Sequence, residues 1–329
     1  SGKSASVQPS VENYASAVNG YCSPKDLETM MQLLYLNFTQ PRFDQNDYNT
    51  LMKMLRSQLD NVKSNPDYLM EEKFIDVAYG NNPRRQMISS EIIDKFSFEA
   101  LPAIYRKLYP DANSFTFTIV GNVDLDALKP LVEKYIGSIP VSKKAMTFAD
   151  DKCAPVKGDV TEEFTAPMQQ PKVSVHYMFS GKMPYTLKDK AALTFLTQAL
   201  NSRYLISIRE EKGGTYGVQV SGSTEYIPDE LREIVMKEIR EIAENGPKTE
   251  DIEKNREFML KSWKNSLEQN AGWMNYIQAK YGPGLEYLKD YEQVIRSLTN
   301  ADVQAMAKKV LGDNNLVKVV MRPAKEKAE

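Results

Sequence analysis

Residues 24 to 120 of this sequence recur, in the same order of expected elements, about two hundred positions later. Each copy reads helix, long helix, helix, strand. The first opens at Pro24 with a helical apolar stripe, Leu27, Met30, Met31 and Leu34, and the second at Pro228-Asp229 with Leu231, Ile234, Val235 and Ile239. Both openings stop at a proline step, Gln40-Pro41 and Gly246-Pro247. Solenoid units run to roughly 20 to 50 residues. A repeat this long is therefore expected to be one α+β domain used twice.

The long helices are expected over 44–64 and 249–269, with Asp44 and Thr249 suited to cap the free amides at their starts. Each turns at an asparagine, Asn65 or Asn270, with an aromatic residue, Tyr68 or Trp273, at the same offset. Helices follow over 98–108 and 301–311. The second has Thr299 as cap, with Leu298 and Val303 spaced to close a hydrophobic staple. Phe115–Val120 and Leu316–Met321 are runs of β-forming residues and close the two copies as strands. A further helix is expected over 124–136, capped by Asp124.

The division that follows is 1–145 as a first domain, 146–160 as a polar linker broken by Pro155 and Gly158, and 161–329 as a second domain. Residues 155–228, two strand-like runs around a helical hairpin, have no counterpart ahead of residue 24, so the first domain is expected to lack its front portion. In the second copy the chain passes from Tyr226-Ile227-Pro228 straight into a helix where the first has a strand-like lead-in over 6–18, as if a strand were deleted.

The 42 basic and 44 acidic residues leave a net charge of −2, which provides no field for a nucleic-acid backbone. No apolar run reaches the roughly 18 to 20 residues of a membrane span, and Ser1-Gly2-Lys3-Ser4-Ala5 reads as a processed start that is silent on compartment. Cys22 and Cys153 fit no metal spacing and read as two buried free thiols.

Catalytic zinc needs about three protein ligands, usually with at least two histidines, and this sequence has one, His176. Alternation in Val173–Phe179 sets Val173, Val175, Tyr177 and Phe179 on one face of a half-buried strand and His176 on the other, as a solvated or neighbour-bonded side chain. A nucleophilic triad fails by the same count. Gly213-Gly214 lacks phosphate-loop spacing, Gly282-Pro283-Gly284 reads as a turn, and the adjacent pairs Glu71/Glu72 and Glu210/Glu211 point about 100° apart on helices, as solvated faces do.

One constellation differs. A helix over 201–209 with Leu205 and Ile208 on its buried side ends at Gly213-Gly214, and Tyr216-Gly217-Val218-Gln219-Val220 then starts a strand. Arg209 and Tyr216 can thus face one cavity, where a guanidinium fork and a phenol offer donors to a peptide carbonyl or a developing oxyanion. From spacing alone, Arg209 paired to a nearby acid and Tyr216 packed at a sheet edge is the plainer alternative.

Ser202-Arg203-Tyr204-Leu205 through Arg209-Glu210-Glu211-Lys212-Gly213-Gly214-Thr215-Tyr216 resembles the arginine and tyrosine segment in the C-terminal half of pitrilysin and insulinase-type zinc peptidases. Phe38-Thr39-Gln40-Pro41-Arg42-Phe43, Ile119-Val120-Gly121-Asn122-Val123-Asp124, Tyr135-Ile136-Gly137-Ser138-Ile139-Pro140 and Gly246-Pro247 fit that half in order. The resemblance implies two related domains of antiparallel-type sheet packed by helices, half of a clamshell that encloses unfolded peptides, with the first domain incomplete. It implies no catalytic residue and no metal in this chain, with zinc on an inverted His-x-x-Glu-His helix in the missing or partner half. It assigns Arg209 and Tyr216 to holding substrate backbone near the scissile bond. The implied partners are a polypeptide substrate and either an N-terminal catalytic half or a separate zinc-bearing subunit, with a bacterial periplasm or envelope as the expected compartment. The alternatives are an inactive homologue serving as an assembly or partner subunit, and a peptide-binding module that adds a strand to its sheet.

Overall fold

The computed structural model describes residues 2–12, 15–142, 145–147, 152–169, 173–204 and 229–324, with 229–235 described by backbone alone. In chain order the elements are β1 (Ala5–Val11), β2 (Ser16–Cys22), α1 (Leu27–Thr39), α2 (Gln45–Val62), α3 (Pro66–Ala78), α4 (Ser90–Ile93), α5 (Leu101–Leu108) and α6 (Leu125–Leu131), which runs on as a wider turn over Val132–Ile136. There follow β3 (Asp159–Ala166), β4 (Ser174–Phe179), α7 (Leu187–Tyr204), α8 (Asp229–Asn245), α9 (Thr249–Ser266), α10 (Asn270–Tyr281), α11 (Tyr287–Ser297), α12 (Asn300–Gly312) and β5 (Leu316–Pro323).

The repeat predicts the helices well because their ends carry local chemistry. Asp44 accepts from the amides of Asn46 (2.8 Å) and Asp47 (3.2 Å), and the Asn65 side chain accepts from Asp67. Asp124 accepts from Asp126 and Ala127. Thr299 and Asp302 close a reciprocal capping box, and Leu298 and Val303 behind it are buried in one cluster. Thr249 departs from expectation: Lys248 occupies the cap position without a side-chain bond, and Thr249, one residue inside, accepts from Asn300 instead.

The chain forms two compact units, Ser1–Leu59 with Ile88–Asp151, and Asp60–Met87 with Lys152–Glu329. The sequence reading keeps all of 1–145 together. By contact, Asp60–Met87 groups with the later residues, because α3 lies on the β3-β5-β4 sheet.

In the first unit β1 and β2 form an antiparallel hairpin, from Ala5 opposite Cys22 to Val11 opposite Ser16, with α1 packed on it. Tyr135 donates to Glu28 (2.8 Å) and accepts from Gln32 (3.2 Å), fastening the turn after α6 to α1. Phe115–Val120 is not a strand. Phe115 is extended, with φ −123° and ψ 147°, and the run has no ladder partner among the described residues. Cys22 is half-buried rather than buried, Cys153 is buried, and both are free.

Asp26 ties the hairpin ends to the start of α1. Its carboxylate accepts from the Ser4 amide (2.9 Å) and the Ser23 hydroxyl (2.7 Å) and faces the Lys3 ammonium (3.3 Å). The Ser4 amide, then the Ser23 hydroxyl and Lys3, hold its carboxyl down at about 2. A folded-state value below the unfolded one stabilises the fold above the ordinary carboxylate range, and that stabilisation is lost as pH falls through the folded value. Asp26→Asn is therefore expected to lower Tm by several degrees at pH 7. Thermal melts should show the gap to wild type closing as pH falls from about 5 toward 2.

In the second unit β5 is central, parallel to β3 and antiparallel to β4. The helices α7 to α12 lie between β3 and β5 in sequence, a connection long enough for the parallel pairing. Helices cover both faces of this sheet. Val317, Val319 and Met321 pack with Met70, Phe74 and Ala78 of α3, while Val320, Val175 and Tyr177 pack with α7, α8 and α12. This two-sided cover accounts for the apolar residues on both faces of β5, Leu316, Val317, Val319, Val320 and Met321, a run interrupted by Lys318. It also corrects the half-buried reading of 173–179, since Ser174 through Tyr177 are buried on both faces.

Candidate substrate-binding segment and its setting

Arg209, Tyr216, Glu210, Glu211 and Gly213-Gly214 lie outside the described residues. The structure defines the two ends from which their segment runs. At one end α7 passes through the middle of the larger core, with Ala191, Phe195, Leu196, Ala199, Leu200 and Tyr204 all buried. Its last residues are fastened as well as packed. Arg203 Nη1 lies 3.2 Å from Glu238 Oε2 of α8, and both side chains are about 15% exposed or less. Tyr204 is 2% exposed, and burial first, with Glu238 and Tyr177 nearby, pushes its phenol far above the usual tyrosine range, so it stays neutral. Asn201 to Tyr204, the described part of the helix expected over 201–209, extend α7 without a break.

Sequence reasoning misses Tyr204 and Glu238 as anchors. Tyr204 is visible in hindsight at helical spacing from Leu196 and Leu200. Glu238 carries no such signal, because its importance comes from its distance to Arg203.

His176 is buried, not solvated. Its ring meets Phe74 edge-on at 5.1 Å, and Nδ1 lies 3.8 Å from Glu71 Oε2. This is the neighbour-contacting form of the expected structural histidine. Among the described residues no three side chains of His, Cys, Asp or Glu gather as a metal site. With one histidine in the whole sequence, the donor set does not fit catalytic zinc.

The profile of the peptidase M16 inactive domain matches residues 95–259, half of the chain, and spans both Arg209 and Tyr216. The chain belongs to the peptidase M16 inactive-domain family. In an alignment 289 positions long that covers 78% of this chain, it is 24% identical to a zinc protease PQQL-like protein of Arabidopsis thaliana, of which it covers 30%. The fold matches the periplasmic protease PqqL of Escherichia coli with a TM-score of 0.81 at 19% identity, over 97% of this chain and 37% of that one. It matches a peptidase M16 inactive domain from Pseudomonas fluorescens with a TM-score of 0.78 at 20% identity, over 99% of this chain and 82% of that one. The chain spans a fifth to a third of the length of the curated relatives it matches. No helix among the described residues is long and apolar enough to cross a membrane.

Proposed function

We propose that this chain is the zinc-less, substrate-holding half of a two-part zinc endopeptidase that encloses unfolded polypeptides. The observation that carries this reading is the inactive-domain match across 95–259. The donor set agrees, since one buried histidine leaves water activation to another half. In this reading the zinc-bearing half activates water, while this half supplies enclosure and register, with Arg209 and Tyr216 donating to the substrate backbone near the scissile bond. The anchored end of α7 supports it, because donors that act on a developing charge must be held in place before the reaction. The E. coli relative is described as periplasmic, and we place this chain in a bacterial envelope compartment by the same reading.

Tyr216→Phe removes one hydroxyl and little else. In the assembled enzyme it is expected to lower kcat by about tenfold or more, with the melting temperature unchanged. Steady-state hydrolysis of an unstructured peptide reads this out, and an unchanged kcat removes the phenol from the mechanism.

A further inference from the structure

Several cations of the second unit have a carboxylate beside them. Lys188 meets Asp302 at 2.7 Å, Lys280 meets Glu286 at 3.2 Å and Arg296 meets Glu292 at 2.6 Å. Lys190, in the first turn of α7, pairs with no carboxylate among the described residues. Its neighbour in sequence, Asp189, is used at the start of the helix, where its carboxylate accepts from the Thr186 hydroxyl at 2.5 Å and its amide donates to that hydroxyl at 3.0 Å.

The Lys190 ammonium rests instead between two tyrosines, 4.7 Å from the ring centre of Tyr185 and 5.9 Å from that of Tyr287. Ring faces attract a cation but carry no net charge, so the ammonium is held in place without being neutralised. One wall of this seat is built into the helices. Tyr287 of α11 stacks between Tyr276 of α10 at 5.3 Å and Tyr291 at 5.5 Å, and Tyr291 lies 5.8 Å from Trp263 of α9. The other wall is open, with Tyr185 59% exposed.

Lys190 donates to the Tyr185 hydroxyl at 3.1 Å, and the Tyr287 hydroxyl is a second acceptor beside it. An ammonium has three donors, so one is left over, and each phenol that accepts keeps its own proton to give. Neither phenol donates to another group among the described residues. One N–H and two O–H donors thus surround a single positive charge that has no counter-ion. A carboxylate matches them, with one negative charge and oxygens that only accept. A phosphate group, with a charge of roughly −1.5 to −2, would leave part of its charge unmatched.

We propose that Lys190, Tyr185 and Tyr287 form a carboxylate subsite that takes an acidic side chain or the terminal carboxylate of a bound polypeptide. The subsite is separate from the Arg209 and Tyr216 segment, and it rests on the substrate-holding reading for polypeptide as the source of the carboxylate.

Fluorescence anisotropy with three short labelled peptides tests it. The first has only glycine, serine and glutamine with an amidated end, the second replaces one glutamine by glutamate, and the third keeps glutamine but has a free C-terminus. The second, the third or both should bind the chain about tenfold or more tighter than the first, and which of them gains identifies the source. Lys190→Met keeps an apolar stem against the rings and removes the charge, so it should bring all three peptides to equal affinity. Tyr185→Phe keeps the exposed ring and removes one donor, and should cut the preference by about threefold with the melting temperature unchanged. Equal binding of the three peptides to the wild-type chain overturns the subsite and leaves the substrate-holding reading standing. A preference that survives in both variants also overturns it. If none of the three binds, the substrate-holding reading fails together with the subsite.

Discussion

Gly272→Ala is expected to destabilise the second unit by about 3 kcal/mol or more, a fall in Tm of about 6–12 °C. Gly272 is buried near the start of α10, and a Cβ placed there would sit 2.0 Å from the Ser266 carbonyl oxygen and 2.7 Å from its carbon. Both are backbone atoms, so the overlap cannot be relieved by a rotamer change. The corner between α9 and α10 is held on either side of the contact. The Ser266 and Tyr276 hydroxyls share a short hydrogen bond, and the Trp273 indole donates to the Leu267 carbonyl at 2.8 Å. Relief would require α10 to move away from α9 and break these bonds. Gly312, at the end of α12, has no atom within 4 Å of a built Cβ. Gly312→Ala should therefore be neutral within about 0.5 kcal/mol, and thermal or denaturant melts of the two variants side by side check the contrast.

Arg256→Met should cost about 2–4 kcal/mol. The Arg256 guanidinium reaches from α9 to the end of α11, where Nη1 donates to the carbonyls of Ile295 and Arg296 and Nη2 to that of Leu298. Its side chain is only 15% exposed, and Phe195 lies 6.0 Å below the guanidinium carbon. Free carbonyls at a helix end need donors, and the neighbouring Ile295 and Leu298 side chains are buried in the main cluster. Methionine retains the apolar stem and removes every donor, leaving these carbonyls without the charge-assisted bonds they now accept. Arg256→Lys should recover only part of the loss, because one ammonium cannot reproduce the planar fork that spans the three oxygens. Equal melting temperatures for Met and wild type would show that these bonds add nothing net.

Arg256 also marks a limit of sequence reading. It falls on α9 near Ile252, Met259 and Leu260, all buried. A charge beside an apolar stripe is visible in the sequence, but its partners 39 to 42 residues away are not. The elements that the repeat predicts well are those whose ends carry their own chemistry, such as Asp44, Asn65, Asp124 and Thr299. The elements that depart from expectation are set by what packs on them. Phe115–Val120 has strand composition, but a strand is defined by its partners, and none is described for it. His176 alternates as on a one-sided sheet, yet α3 covers the second face through Phe74. Hydrophobic period reports one buried face and cannot report a helix arriving about a hundred residues earlier in the chain. The arginine and tyrosine segment is legible in the sequence, while the fastening of the end of α7 by Arg203 with Glu238 and by buried Tyr204 depends on the packing of α7 against α8.

The central claim is that Arg209 and Tyr216 grip a polypeptide that a metal-bearing half cuts. Titrating this chain into the zinc-bearing half, while following hydrolysis of an unstructured peptide and complex formation together, tests that claim directly. The account predicts no hydrolysis by this chain alone and activity rising in step with the complex. It also predicts a complex of the same stoichiometry but at least about tenfold lower turnover when the chain carries both Arg209→Ala and Tyr216→Phe. Full turnover by that doubly substituted complex would contradict it.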